Sequence, residues 1–177
     1  MDDERATEVT PRGIAAPESM RAAIEQHAAA VYRLALSIVR DPALADDVVQ
    51  ETMIKAWRAA PRQSDGTVPR AWMLRVARNA AISMVRSRRD DLYGDDAPEQ
   101  ISALTVARAV EGRAALSELH VALARLDADA RALIVLREID GLTYDEIAAA
   151  MDLPLPTVKT RLFRARQVLK RALEEWQ

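Results

Sequence analysis

Apolar positions recur at helical spacing along most of the chain, and polar positions fill the faces between them. In DPALADDVVQETMIKAWRAA, residues 41–60, Ala45, Val48, Val49, Thr52, Ala56 and Trp57 share one side at about 100° per residue. Asp41 stands before this run as a cap, and Pro42 takes the first helical position, where its missing N–H costs nothing. Further on, Met73, Val76, Ala77, Ala80 and Met84 repeat the pattern. Near the C-terminus, Val158, Leu162, Ala165, Leu169 and Leu173 form a narrow apolar stripe on a helix expected over 157–173. The pattern predicts an all-α fold with no internal repeat.

Turn chemistry divides the helices. Thr143 and Glu146 have the spacing of a capping box, with Leu142 and Ile147 as its hydrophobic staple, so a short helix is expected from Tyr144 to about Met151. Asp152 falls where a tight turn wants a left-handed residue, which Asp tolerates better than most. Pro154 and Pro156 suit the first turn of a following helix. Helix, turn of about four residues and helix make a helix-turn-helix outline. Residues 1–19 lack periodicity and read as a disordered acidic tail. Helical patterning over 20–92 gives way to turn residues and acids beginning near DDLYGDDAPEQ, then resumes by about Ala114. Two small helical domains are expected, 20–92 and 113–177, joined by a flexible acidic linker over 93–112.

Composition narrows the chemistry. The absence of Cys removes disulfides, thiolate metal sites and thiol catalysis. His27 and His120 lie far apart, there is no glycine-rich phosphate loop, and the acids at 90–96 lack the spacing of a calcium loop. No catalytic residue, metal site or cofactor is expected. No apolar run approaches the roughly 18 residues of a membrane span, and the acidic N-terminus is no secretory signal, so a cytoplasmic protein is expected. The net charge of −2 conceals a segregation. Residues 20–92 hold 12 Lys+Arg against 8 Asp+Glu, residues 154–177 hold 6 against 2, and the other segments are acidic.

The basic segments contain the candidate binding faces. On the helix at 157–173, Thr160, Phe163, Arg164, Gln167 and Arg171 lie opposite the apolar stripe, with Lys159, Arg161, Arg166 and Lys170 on the flanks. A solvated face accounts for the charges but leaves an exposed Phe163 unexplained. An aromatic ring amid Thr, Lys and Arg suits a DNA major groove, where apolar groups meet thymine methyls and Arg or Lys meet guanine edges. In RQSDGTVPRAWMLRVARNAAISMVRSRRDD, a loop at 62–68 leads into a helix that carries Arg75, Arg78, Arg86 and Arg89 on one face beside Asn79. With Trp72 these residues could hold a single strand, although Trp72 equally suits a buried bundle anchor. Asp47, Gln50, Glu51 and Ile54 form a second stripe on the 42–59 helix, either solvent-facing or a docking surface for a basic partner helix.

Three motifs then occur in order: DDVVQETMIKAWRA, AWMLRVARNAAISMVRSRR and LTYDEIAAAMDLPLPTVKTRLFRAR. In order and spacing they resemble regions two and four of the bacterial extracytoplasmic-function (ECF) sigma factors of the sigma-70 family, over about 20–92 and 113–175. The resemblance implies a non-enzymatic sigma subunit that joins core RNA polymerase, at its β′ clamp helices and β flap, and directs it to promoters. It assigns Asp47, Gln50, Glu51 and Ile54 to polymerase docking. To the minus-ten element it assigns Lys55, Arg62, Ser64, Asp65, Trp72, Arg75, Arg78 and Asn79. To the minus-thirty-five element it assigns Thr157, Lys159, Thr160, Arg161, Phe163, Arg164 and Arg166. An anti-sigma factor is the implied regulator. A stand-alone helix-turn-helix regulator and a sigma-like decoy for an anti-sigma protein are the alternatives. Two positions depart from the family's habit of glycine: Asp152 in the turn, and Pro156, which removes an amide that could hold a phosphate.

Overall fold

Every regular element among the described residues is helical, and the termini of these helices are set by the local signals in the sequence. The computed structural model describes residues 18–60, 68–93 and 121–174. Glu18, Ser19 and Tyr93 of the expected tail and linker are helical; the rest of both, and Arg62, Ser64 and Asp65, lie outside the described residues. Helices α1 (Glu18–Val39), α2 (Pro42–Ala59) and α3 (Arg70–Tyr93) pack on one another as a three-helix unit. Helix α4 (Ala128–Ile134) continues into a π-helical turn at Val135–Ile139, followed by α5 (Tyr144–Met151) and α6 (Leu155–Glu174). Helix α6 packs on α4 and α5.

The α1–α2 corner contains one feature that sequence periodicity does not reveal. Arg40 is left-handed (φ 57°) and ends α1, its N–H donating to the Leu36 carbonyl at 2.9 Å. Such a conformation costs a non-glycine residue about 1–2 kcal/mol. Asp41 follows at once as the cap of α2, accepting from the amides of Ala43 and Leu44 at 2.9 and 3.2 Å. Those two bonds, with Arg88 nearby, hold the Asp41 carboxyl below its usual range.

The helix-turn-helix is closed at both ends of α5. Thr143 accepts from the Glu146 amide at 3.2 Å, and Glu146 accepts from the Thr143 amide at 2.7 Å. This reciprocal pair is the expected capping box. Asp152 is left-handed at φ 55° and ψ 47°. The Leu153 amide reaches back to the Ala148 carbonyl at 3.0 Å, the long bond of a Schellman ending. Helix α6 starts at Leu155, two residues before the expected position. Pro154 provides the carbonyl for the first bonds, from Thr157 and Val158, and Pro156 sits in the first turn where it has no partner to lose.

Burial follows the predicted stripes except at Trp57 and Val76, half-buried and outside the core cluster, and in one exchange at the end of α6. Ala45, Val48, Thr52 and Ala56 of α2, Met73, Ala77 and Ala80 of α3, and Val158, Leu162 and Ala165 of α6 are buried. At the end of α6 it is Ala172 that is buried (1% exposed), while Leu173 is 39% exposed. Position 173 lies about 60° round from Val158 on an ideal helix and position 172 about 40° the other way, so the core sits towards 172.

The buried residues form one continuous cluster running from α1, α2 and α3 through α4, α5 and α6. The two expected domains are thus packed together: α3 lies on α5, and α1 on α4 and its π-helical extension. Polar pins cross this seam. Arg131, 4% exposed, donates its Nε to the Ser37 carbonyl at 2.8 Å, satisfying an end carbonyl of α1, and a second nitrogen to the Leu126 carbonyl. Burial, and then the charge of Arg40, lower the Arg131 pKa. Asp140, its side chain 1% exposed, accepts from Arg33 of α1. Arg70 of α3 donates to the Asp140 backbone carbonyl at 3.4 Å.

Candidate nucleic-acid interface

Helix α6 turns its apolar stripe onto α4 and α5, which leaves Lys159, Thr160, Arg161, Phe163, Arg164, Arg166 and Gln167 exposed. Phe163 is 62% exposed, a large aromatic surface with no place in the core. Thr157 is half-buried at the base of the helix. Thr160 donates its hydroxyl to the Pro156 carbonyl at 2.9 Å, so the oxygen's lone pairs and the methyl remain for a partner.

The two flanks of α6 differ from its centre. On one flank, Arg166 donates twice to Glu138 of the π-helical turn, at 2.9 and 2.6 Å. Hydrogen bonds to Tyr144 and Glu138 raise the Arg166 pKa, and the same guanidinium lowers that of the Tyr144 hydroxyl. Arg137 lies 4.9 Å over the Tyr144 ring. On the other flank, Arg161 donates to Asp129 of α4 at 3.2 Å. Phe163, Arg164 and Lys159 have no ion-pair or ring partner among the described residues. The centre is open, and both flanks are tethered.

Helix α3 carries the second basic surface. Arg75, Asn79 and Arg86 are exposed and aligned, with Ile82 (37% exposed) among them. Arg78 diverges from this line. It is turned towards the helix-turn-helix half, where it donates to Asp129 at 2.8 Å, its side chain 16% exposed. Trp72 is half-buried and packed against the core, the anchoring role weighed for it in sequence. The structure therefore brings Arg75 and Asn79 together and sets Arg78 apart.

Helix α2 presents Asp47 and Gln50 exposed, with Ile54 at 52% exposure in line with them. Glu51 is half-exposed and accepts from Lys55 one turn on, at 2.5 Å. A groove of about 300 Å³ beside Ile54 is lined by Met53, Trp57 and Arg58. These three were not singled out as binding residues, and Trp57 was expected in the core. The signal was available: Arg58 continues the stripe at i+4 from Ile54, and a tryptophan near a helix end is large enough to pack and line a surface at once.

These features define an all-helical, two-part chain that carries a helix-turn-helix with an open aromatic and basic face. The comparisons make the class specific. The sigma-70 region 2 model matches residues 23–90, and the sigma-70 region 4 model matches residues 116–169. The chain is 38% identical over 169 residues to the ECF RNA polymerase sigma factor SigL of Mycobacterium tuberculosis, covering 92% of this chain and 94% of that one. To the RNA polymerase sigma-H factor of Pseudomonas aeruginosa it is 35% identical over 156 residues, covering 81% and 80%. Among solved structures it is similar to the sigma factor RpoE of Bartonella quintana in complex with the anti-sigma factor NepR. That match has a TM-score of 0.74 at 28% identity, over 87% of this chain and 96% of that one. CnrH in complex with the cytosolic domain of CnrY is also similar, with a TM-score of 0.62 at 28% identity over 86% and 85%. The chain belongs to the sigma-70 family and is an ECF sigma factor.

Proposed function

We propose that this chain binds core RNA polymerase through α2, reads the two promoter elements through α3 and α6, and is held in check by an anti-sigma protein. Asp47, Gln50, Glu51 and Ile54 dock on the polymerase, a carboxylate and amide stripe ending on an exposed isoleucine that suits a basic partner helix. Lys55, Trp72, Arg75, Arg78 and Asn79, with Arg62, Ser64 and Asp65 before them, hold the opened minus-ten strand. The cations neutralise phosphates while an unstacked base is lodged against the protein, so strand separation is favoured over re-pairing. Lys159, Thr160, Phe163 and Arg164 read minus-thirty-five base edges, with Thr157, Arg161 and Arg166 on the backbone. The layout 20–92 and 113–177 around an acidic linker at 93–112, preceded by a tail at 1–19, is part of this proposal. So is action in the cytoplasm; among the described residues no helix is long and apolar enough to cross a membrane.

The observation that carries the reading is the coexistence of two unlike exposed faces. A stand-alone regulator has no use for Ile54 held 52% exposed at the end of an acidic stripe, and a decoy has no use for Phe163 at 62%. Two relatives in the solved structures are bound to CnrY or to the anti-sigma factor NepR, which supports the same kind of partner here. Run-off transcription with purified core polymerase on a genomic fragment library tests the function. Promoter-specific transcripts that require the chain are expected, and their absence overturns the reading.

A further inference from the structure

The cations on the reading surface of α6 divide by whether an acid already holds them. Both arginines assigned to the minus-thirty-five backbone are paired: Arg161 with Asp129 at 3.2 Å, and Arg166 with Glu138 at 2.9 and 2.6 Å. The two cations assigned to base edges, Lys159 and Arg164, have no acid partner among the described residues. The pairing thus follows the division between backbone and base contacts.

Glu138 is the clearer of the two acids. It stands on the π-helical turn at Val135–Ile139, which the Asp140 amide closes onto the Val135 carbonyl at 3.0 Å. Turns of this kind are frequent at functional sites. Arg137, its neighbour in sequence, is engaged elsewhere: it donates to the Leu142 carbonyl at 2.7 Å and lies over the Tyr144 ring. Glu146 of α5 is held by the Thr143 amide and hydroxyl. Among the described residues Glu138 is left to Arg166, and one of its oxygens takes two of the five N–H groups of the guanidinium. The side chains are 47% and 43% exposed, so the pair is within reach of a phosphate.

We propose that Glu138 is an internal competitor for DNA phosphate, a residue that lowers the sequence-independent affinity of the reading helix and leaves its base contacts untouched. A phosphate that takes Arg166 must take it from the Glu138 carboxylate. A pair of zero net charge also releases less of the duplex's counterion atmosphere than a free arginine, and that release drives the binding that all sequences share. Lys159 and Arg164 have no such competitor, so the term that distinguishes sequences keeps its full strength. Asp129 has the same place on Arg161, but it also holds Arg78 of α3, so Glu138 is the acid that can be tested alone. The inference rests on the DNA-reading role proposed for α6 and not on polymerase docking.

Glu138→Gln keeps the size and an acceptor oxygen while removing the charge. Titration of the full-length chain into a fluorescent duplex pool of random sequence, at several salt concentrations, reads the affinity and its salt slope. The variant is expected to bind about two- to fivefold more tightly, the strength of a half-exposed ion pair, with a slope steeper by up to about one. In an Arg166→Ala background the same change should give no gain. A Glu138→Gln variant that binds no tighter than the parent, or duplex binding absent from both, overturns the proposal. An equal gain in the Arg166→Ala background does so too, because the effect would then be one of overall charge. Arg166→Ala alone separates the two readings. If it binds as the parent does, the backbone role of Arg166 and the competitor both fall. If it weakens binding while Glu138→Gln gains nothing, only the competitor falls.

Discussion

The stripe on α2 and the open face of α6 are both exposed surfaces of amphipathic helices, yet they differ in sign and in position. The α2 stripe is acidic and ends on an isoleucine, and its helix packs on α1 and α3. The α6 face is basic around a phenylalanine, and one of its flanks is tied into the seam through Arg161 and Asp129. Each holds one exposed apolar side chain, Ile54 or Phe163, and in the function proposed above that side chain is what a partner covers. Position then separates them: among the described residues the α2 stripe makes no bond across the seam, whereas Arg161 shares Asp129 with Arg78 of α3.

Ile54→Glu is the largest expected perturbation of this contrast. A charge in place of the one apolar residue of the docking stripe should weaken core polymerase binding by about 2 kcal/mol or more, roughly thirtyfold. Titration of the chain, carrying an N-terminal fluorophore, with core polymerase measures it. Ile54 is half-exposed and supports no core, so the helicity and the minus-thirty-five preference should not change. A variant that binds polymerase normally but loses promoter preference would dissolve the distinction between the faces.

Within α6 the contrast between centre and flank gives a smaller effect. Arg164→Ala should cost about 1–3 kcal/mol on the cognate minus-thirty-five element and relax the preference at one base pair. Arg166→Ala should weaken all sequences alike and reduce the salt slope of binding. Because Arg166 also holds Glu138 between half-exposed side chains, its loss should lower stability by no more than about 1 kcal/mol. Binding of a minus-thirty-five variant panel at two salt concentrations reads both. Identical profiles for the two variants would undo the face assignment.

Much of the helix-turn-helix was legible because its determinants are local. Thr143 and Glu146, Asp152, Pro154 and Pro156 act within a turn of their own position, and the structure places each as the spacing implied, except that α6 starts at Leu155 and leaves Pro154 just before its first turn. Asp41 and Pro42 at α2 were legible for the same reason. The rest depends on partners distant in sequence. Arg40 carries no mark of its left-handed backbone, since only the packing of α2 against α1 requires it. The π-helical turn at Val135–Ile139 leaves the hydrophobic period nearly intact. Arg78 belongs with Arg75 by periodicity alone, and Asp129, 51 residues on, draws it aside. The packing of the two halves on each other was invisible because Asp129 and Asp140, the acids at the seam, read in sequence as ordinary surface charges. Of the minus-ten assignments, Arg62, Ser64 and Asp65 fall outside the described residues.

The smallest perturbation tests whether the local signals of the turn are as separable as they look. Thr143→Ala removes both hydroxyl bonds of the box, the one accepted from the Glu146 amide and the one donated to its carboxylate, and leaves the carboxylate only the backbone amide of position 143, at a cost of about 1 kcal/mol. Asp152→Gly acts in the other direction. At φ 55° an aspartate pays for its Cβ, and glycine removes that strain while adding entropy to the unfolded chain, leaving a gain of about 0.5 kcal/mol. The two sites cap opposite ends of α5 and share no contact, so their effects on the melting temperature should add. The gain at 152 should leave minus-thirty-five preference unchanged, because the Leu153 bond to Ala148 uses backbone alone. If glycine stabilises the fold but blurs the preference, the aspartate sets the angle between α5 and α6, and the turn belongs to the reading surface.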